Sequence, residues 1–248
     1  MQHSRTSSNH LGGVLKLPAL VPVQEPRQAP SRIATIAPNL RAVDTAAEPG
    51  LGHIKASVLS FLNMHIYGEL LVTFMRARKQ TFIDRLNWRL PETDGMEFDQ
   101  YDTPACRWIV VHEFGEVIGG VRLTPTTAMC GIYSYMLRDA QRGLLEEIPT
   151  DVLFFEAPVS DSIWEASRLF ISPQIPAHRR SVVQSVLMAT LSTAARDMGA
   201  SQVIGIVPAV WSRWLRRLDL NAVPVGPKFT IDGTISQAAL FNTAWLGG

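Results

Sequence analysis

Cysteine is scarce in this chain: Cys106 and Cys130 are the two among 248 residues. Neither sits in a zinc-like spacing, which leaves room for one disulfide and no cysteine metal site. Net charge is equally slight, +1 from 23 basic and 22 acidic residues, and argues against nucleic acid as the main partner. No apolar run approaches the roughly 20 residues that a membrane span needs. The mildly apolar stretch from Leu11 to Val23 is broken by Lys16, Pro18 and Pro22, a poor core for a signal peptide. A soluble protein of the reducing cytoplasm is expected. The chain also lacks a P-loop or Rossmann glycine pattern, a metalloprotease zinc helix and a nucleophile-elbow serine. Its six histidines (His3, His10, His53, His65, His112 and His178) are scattered. Neither a metal, a bound cofactor nor a covalent intermediate is therefore expected.

What is present is a globular composition, 46% hydrophobic and 18% charged. Residues 1–55 are rich in Pro, Ala, Ser and Arg without periodicity, and the expectation is a disordered extension. The folded domain then covers residues 56–248. Between Val58 and Trp88 the pattern is helical, with Tyr67, Leu71, Phe74, Arg78 and Phe82 on one face. Trp108–Glu113 and Val117–Leu123 read as a hairpin around Gly115. A short helix is expected within Ser134–Leu145, and a strand over Ile163–Ile171. Arg179–Met198 keeps the helical period and ends at Gly199. Gln202–Val207 reads as a buried strand, Trp211–Leu218 as a helix, and Ala222–Ile231 as the strand closing the sheet. The order predicts an α/β (α+β) sandwich: a central mixed, twisted sheet with helices on both faces.

Several charges fall at positions that call for core residues. Arg78 interrupts an apolar helical stripe, and Asp99 and Asp102 follow in a polar loop. Arg122 ends an apolar strand, while Glu165 and Arg168 lie three apart on another. A flat strand would send those two to opposite faces, and a β-bulge between them would bring both to one side. Buried charges are costly unless paired or met by a charged ligand. Arginine suits a carboxylate, Asp and Glu suit an ammonium, and Phe82 and Trp88 could face a cation. A site for a small zwitterion is one reading. Surface ion pairs and ordinary core aromatics are the other.

The run Arg78, Phe82, Trp88, Asp99, Asp102, Arg122, Glu165, Arg168 resembles the signature of the LuxI-type acyl-homoserine-lactone synthases, the autoinducer synthases of quorum sensing. The Asp-x-x-Asp pair, the Arg before Pro125-Thr126-Thr127 and the Glu165-Ala166-Ser167-Arg168 run carry the likeness, which covers roughly Tyr67 to Leu220. The resemblance implies a GNAT-like N-acyltransferase fold. It implies transfer of a fatty acyl group from an acyl thioester, on acyl carrier protein or coenzyme A, to the amine of S-adenosyl-L-methionine. Lactonisation with release of methylthioadenosine follows. On this basis Glu165, Arg168, Asp99, Asp102 and Arg122 are assigned to the catalytic network, with Glu165 as base or ammonium holder. Arg78, Phe82 and Trp88 are assigned to the S-adenosylmethionine side. Arg179, Arg180, Arg213, Arg216 and Arg217 are candidate contacts for an acidic carrier protein. Gly205 and Pro208 fall near the family's acyl-tunnel segment. A GNAT-like transferase acting on another amine, or a non-catalytic relative that binds acyl carrier protein, are the alternatives.

Overall fold

A computed structural model describes residues 53–209, 222–231 and 233–243. In chain order the elements are β1 (Ile54–Leu59), a 3-10 turn (Met64–Tyr67) and α1 (Leu70–Lys79), which runs on into a π-helical stretch (Gln80–Arg85). A two-residue ribbon follows, β2 (Glu92–Thr93) with β3 (Met96–Glu97). Then come β4 (Arg107–Glu113), β5 (Glu116–Pro125), α2 (Met136–Gln141), β6 (Ile163–Ile171) and α3 (Ala177–Asp197). The last three strands are β7 (Gln202–Pro208), β8 (Val223–Ile231) and β9 (Thr234–Asn242).

Seven strands form one sheet in the order β1-β4-β5-β6-β7-β9-β8. Every neighbouring pair is antiparallel except β6 and β7, whose parallel pairing needs the crossover that α3 supplies. The central strands are apolar on both faces because both faces are covered. Val183, Leu187, Leu191 and Ala194 of α3 pack against Ile109, Val111, Val121, Leu123 and Val203. On the opposite face Phe74 and Met75 of α1, with Phe82, meet Trp108, Val110 and Phe170.

Two places in the sheet are set by close approach. A Cβ at Gly120 would lie 2.6 Å from the Ile109 carbonyl oxygen and collide with the Phe74 ring. Gly120 is thus what lets α1 sit down on the sheet. Gly120→Ala is expected to lower the unfolding free energy by about 1–3 kcal/mol, read from urea melts at constant m-value. Gly205 is similar, since a Cβ there would stand 2.5 Å from the Ala166 carbonyl oxygen. The β6–β7 ladder ends at this pair, Ala166↔Gly205, although both strands run on. A cleft opens between them.

The structure departs from the sequence expectations at both ends of the sheet. Residues 54–59 are not part of a helix and do not belong to a disordered extension. They form the edge strand β1, paired with β4 from Ile54↔Glu113 to Leu59↔Trp108. A six-residue run is ambiguous by periodicity, and here strand pairing decides it. The folded unit therefore begins before residue 56. At the other end β8 is the edge strand, as expected, but β9, an element outside the sequence expectations, pairs between it and β7. Residues 1–52 and the helix expected over Trp211–Leu218 lie outside the described residues, as do Arg213, Arg216 and Arg217.

Candidate active site

The signature charges converge on the face of the sheet that carries α1 and α2. Arg78 leaves the last turns of α1 and is fully buried. It grips Asp102 with two parallel bonds, Nη1 to Oδ1 at 2.7 Å and Nη2 to Oδ2 at 3.0 Å. Its Nε donates to Glu97 Oε2. Arg122, also fully buried, binds Asp99 Oδ1 through Nη1, lies 3.1 Å from Asp102 Oδ2, and donates through Nε to Ser167 Oγ at 3.1 Å. Arg168 completes the set, with Nε donating to Glu97 Oε1 at 3.1 Å and Nη2 to Asp99 Oδ2 at 2.9 Å. Asp102 also accepts the Trp108 indole N–H and the Asp99 backbone N–H, each at 2.9 Å.

Three guanidiniums thus meet three carboxylates in a closed, charge-balanced lattice. Burial alone would raise both aspartates' pKa values. At Asp99, Arg122 and Arg168 outweigh it, and at Asp102, Arg122 and Arg78 do. Both stay below the usual carboxylate range and remain ionised. An ion cluster of this kind is weak as a stabiliser against an apolar core but severe when one partner is removed.

Arg168 reaches this cluster because β6 is bulged. Opposite β5, the register jumps from Gly120↔Phe170 to Arg122↔Ser167, so β6 carries one residue more. Arg168 itself takes φ +56°, a left-handed conformation that is strained for a residue with a Cβ. The kink puts Glu165, Ser167 and Arg168 on one face, and the strain sits at the edge of the cleft.

Glu165 is buried and does not join the lattice. Its two oxygens accept the backbone N–H groups at the start of α2, Met136 at 2.9 Å and Leu137 at 2.7 Å. Burial pushes its pKa up to about 7, a rise the two N–H donors and Arg122 oppose and Asp139 reinforces. With three arginines already matched by three acids, Glu165 is the surplus carboxylate. It is poised to exchange a proton near neutrality.

The cleft between β6 and β7 encloses about 250 Å³. Phe82 and Trp88 wall one side, their rings stacked 5.0 Å apart, and Arg168 lies 5.8 Å over the Phe82 ring. Ala166, Ser167, Leu169, Ile206, Val207 and Pro208 supply the strand side. The site offers aromatic and apolar walls, one fixed guanidinium, and backbone at a broken ladder. A larger open hollow of about 760 Å³ lies away from it, beside His53, Tyr67 and His112.

A family model described as autoinducer synthase matches residues 65–243. The chain belongs to the autoinducer synthase family. An acyl-homoserine-lactone synthase of Ralstonia solanacearum is 33% identical over 162 residues, 63% of this chain and 74% of that protein. Among solved structures, TofI in a ternary complex with an inhibitor and MTA superposes with a TM-score of 0.60 at 28% identity. It covers 76% of this chain and 91% of TofI. BjaI, a CoA-dependent acyl-homoserine lactone synthase with SAM and isopentyl-CoA, gives a TM-score of 0.58 at 26% identity, over 75% and 82% of the two chains. The mixed α/β sandwich with its splayed parallel pair is the fold shared with these synthases.

Within this autoinducer synthase the expected residues divide into two groups. Phe82, Trp88 and Arg168 line the cleft. Arg78, Asp99, Asp102 and Arg122 lie behind it in the lattice, so Arg78 is not among the lining residues and touches Asp102 and Glu97 instead. Glu97 is a buried member outside the signature run. Its signal was the spacing Glu97-x-Asp99-x-x-Asp102, three acids in six residues. Arg179 and Arg180 start α3, where Arg179 pairs with Glu113 at 2.7 Å and Arg180 binds the Ile175 and Pro173 carbonyls. Their guanidiniums already have partners within the chain. Among the described residues no three His, Cys, Asp or Glu side chains are grouped to hold a metal ion. Nor is any described helix long and apolar enough to cross a membrane.

Proposed function

We propose that this chain is an acyl-homoserine-lactone synthase, acylating S-adenosyl-L-methionine from an acyl thioester and closing the lactone. The single observation that carries the reading is the bulge at Arg168. It ties a charge-balanced lattice, the Phe82–Trp88 stack and the broken β6–β7 ladder into one cleft. In the first step the substrate amine attacks the thioester carbonyl. A C–N bond forms, the thiolate leaves with its carrier, and the amine proton passes to a base. In the second, the substrate carboxylate attacks the carbon bonded to sulfonium. The C–O bond closes the ring as the C–S bond breaks, and methylthioadenosine departs.

Trp88, backed by the stacked Phe82 ring, offers a ring face to the sulfonium. Arg168, held rigid by Glu97 and Asp99, presents its edge to the substrate carboxylate. Backbone N–H groups at the gap beyond Ala166 are the donors for the tetrahedral oxyanion. Glu165 takes the proton. It is not among the lining residues, so the proton reaches it by relay past Ser167 or the start of α2. For the acyl donor, the segment leading into α3 (Pro176 to Ser181) contains no glycine. The pyrophosphate loop of coenzyme A-dependent GNAT enzymes has no counterpart there, which supports acyl carrier protein.

The test is a purified reaction with S-adenosylmethionine and matched acyl thioesters on carrier protein and on coenzyme A. Equal yields of methylthioadenosine and an acyl-homoserine lactone, by mass spectrometry, are expected. An acylated amine without methylthioadenosine would make the protein a plain N-acyltransferase. Equal kcat/KM with both donors would remove the carrier-protein preference.

A further inference from the structure

Glu147 stands in the segment between α2 and β6, outside the signature run, and lines the cleft together with its neighbour Ile148. The lining holds two charged side chains, Arg168 and Glu147. They differ in one respect. Arg168 is matched by both Glu97 and Asp99, whereas Glu147 has no ion pair or hydrogen bond among the described residues. Glu147 is an exposed residue at the rim, so its unpaired negative charge borders a cavity whose other walls are aromatic, apolar or hydroxylic. Such a wall favours a cation over a neutral ligand of the same shape.

S-adenosylmethionine carries an ammonium, a carboxylate and a sulfonium, a net charge of one positive. Methylthioadenosine carries none of these. Resting on the function proposed above, the geometry points to Glu147 as a further recognition residue, one that draws the sulfonium of S-adenosylmethionine into the cleft. When the C–S bond breaks, the sulfur becomes a neutral thioether and the attraction ends. The same carboxylate thus favours substrate entry without retaining the by-product.

Three ligands separate the possibilities: S-adenosylmethionine, S-adenosylhomocysteine and methylthioadenosine. The second keeps the ammonium and carboxylate but lacks the sulfonium charge. Calorimetric titration of the full chain and of Glu147→Gln would compare all three. Glu147→Gln is expected to weaken S-adenosylmethionine about fivefold, the range of a partly exposed ion pair, and Glu147→Lys to weaken it further. Affinity for the two neutral thioethers should hold. Equal weakening of S-adenosylmethionine and S-adenosylhomocysteine would assign the carboxylate to the ammonium and overturn the sulfonium assignment. Weakening of all three would reveal a loop distortion, and no change at all a solvated carboxylate; either overturns the inference. Wild-type protein that neither binds S-adenosylmethionine nor releases methylthioadenosine would instead sink the proposed function, and this assignment with it.

Discussion

Arg122→Met should lower the unfolding free energy by about 3–5 kcal/mol, the cost of stripping a partner from a buried ion cluster. Methionine fills much of the same space, so the loss is electrostatic. Asp99 keeps Arg168 and Asp102 keeps Arg78, but the lattice then holds three acids against two guanidiniums. The pH dependence identifies the cause. In the wild type both aspartates are held below their ordinary range. Their contribution is therefore present above the unfolded value near pH 4, and is lost as pH falls through the lower folded values. Without Arg122 those folded values rise, and the acid limb of the stability curve moves to higher pH. Urea melts from pH 3 to pH 8 would show it. Adding Asp99→Asn in the Arg122→Met background removes the surplus charge and should recover part of the stability. It should not recover turnover, because Arg168 loses a ligand that fixes it at the cleft. Identical acid limbs for wild type and Arg122→Met would mean that the cluster contributes packing rather than charge.

How far this cluster could be read without a structure depended on the kind of signal each residue carries. Arg78 broke a helical stripe, and a break in a periodic pattern is visible in one dimension. Glu165 and Arg168, three apart on a strand, required a bulge to share a face, and the bulge is present at Arg168 itself. Glu97 was missed because it sits on a two-residue strand in a polar segment, where no apolar pattern marks it as buried. Its burial comes entirely from tertiary closure of that segment over Arg78. The sheet order was illegible for a related reason. β9 inserts between β7 and β8 by pairing with both, and pairing partners leave no trace in local periodicity. Glu147 was invisible too, since no local pattern shows that an exposed acid in a loop borders a cavity.

The largest effect on catalysis is expected at Glu165. As the base for an amine proton it would contribute about 100- to 10,000-fold, so Glu165→Gln should lower the acylation rate within that range. The glutamine oxygen can still accept one of the two α2 N–H groups, so the fold should persist. Glu165→Ala strands both donors and should cost a further 1–3 kcal/mol or so of stability for each. Base and helix anchor are then separated by pH. A base with a pKa of about 7 makes the wild-type kcat/KM rise as pH increases from 6 to 8, and Glu165→Gln should flatten that limb. Stability runs the opposite way. The folded-state value is raised from 4.5, so the carboxyl's contribution is complete below about pH 4.5. It fades as pH rises to about 7, a difference on the order of 3 kcal/mol. Glu165→Gln carries no such proton, and its deficit relative to wild type should shrink between pH 5 and pH 8. A uniform loss of rate at every pH, with the wild-type slope retained, would leave Glu165 as the anchor of α2 and move the base elsewhere in the cleft.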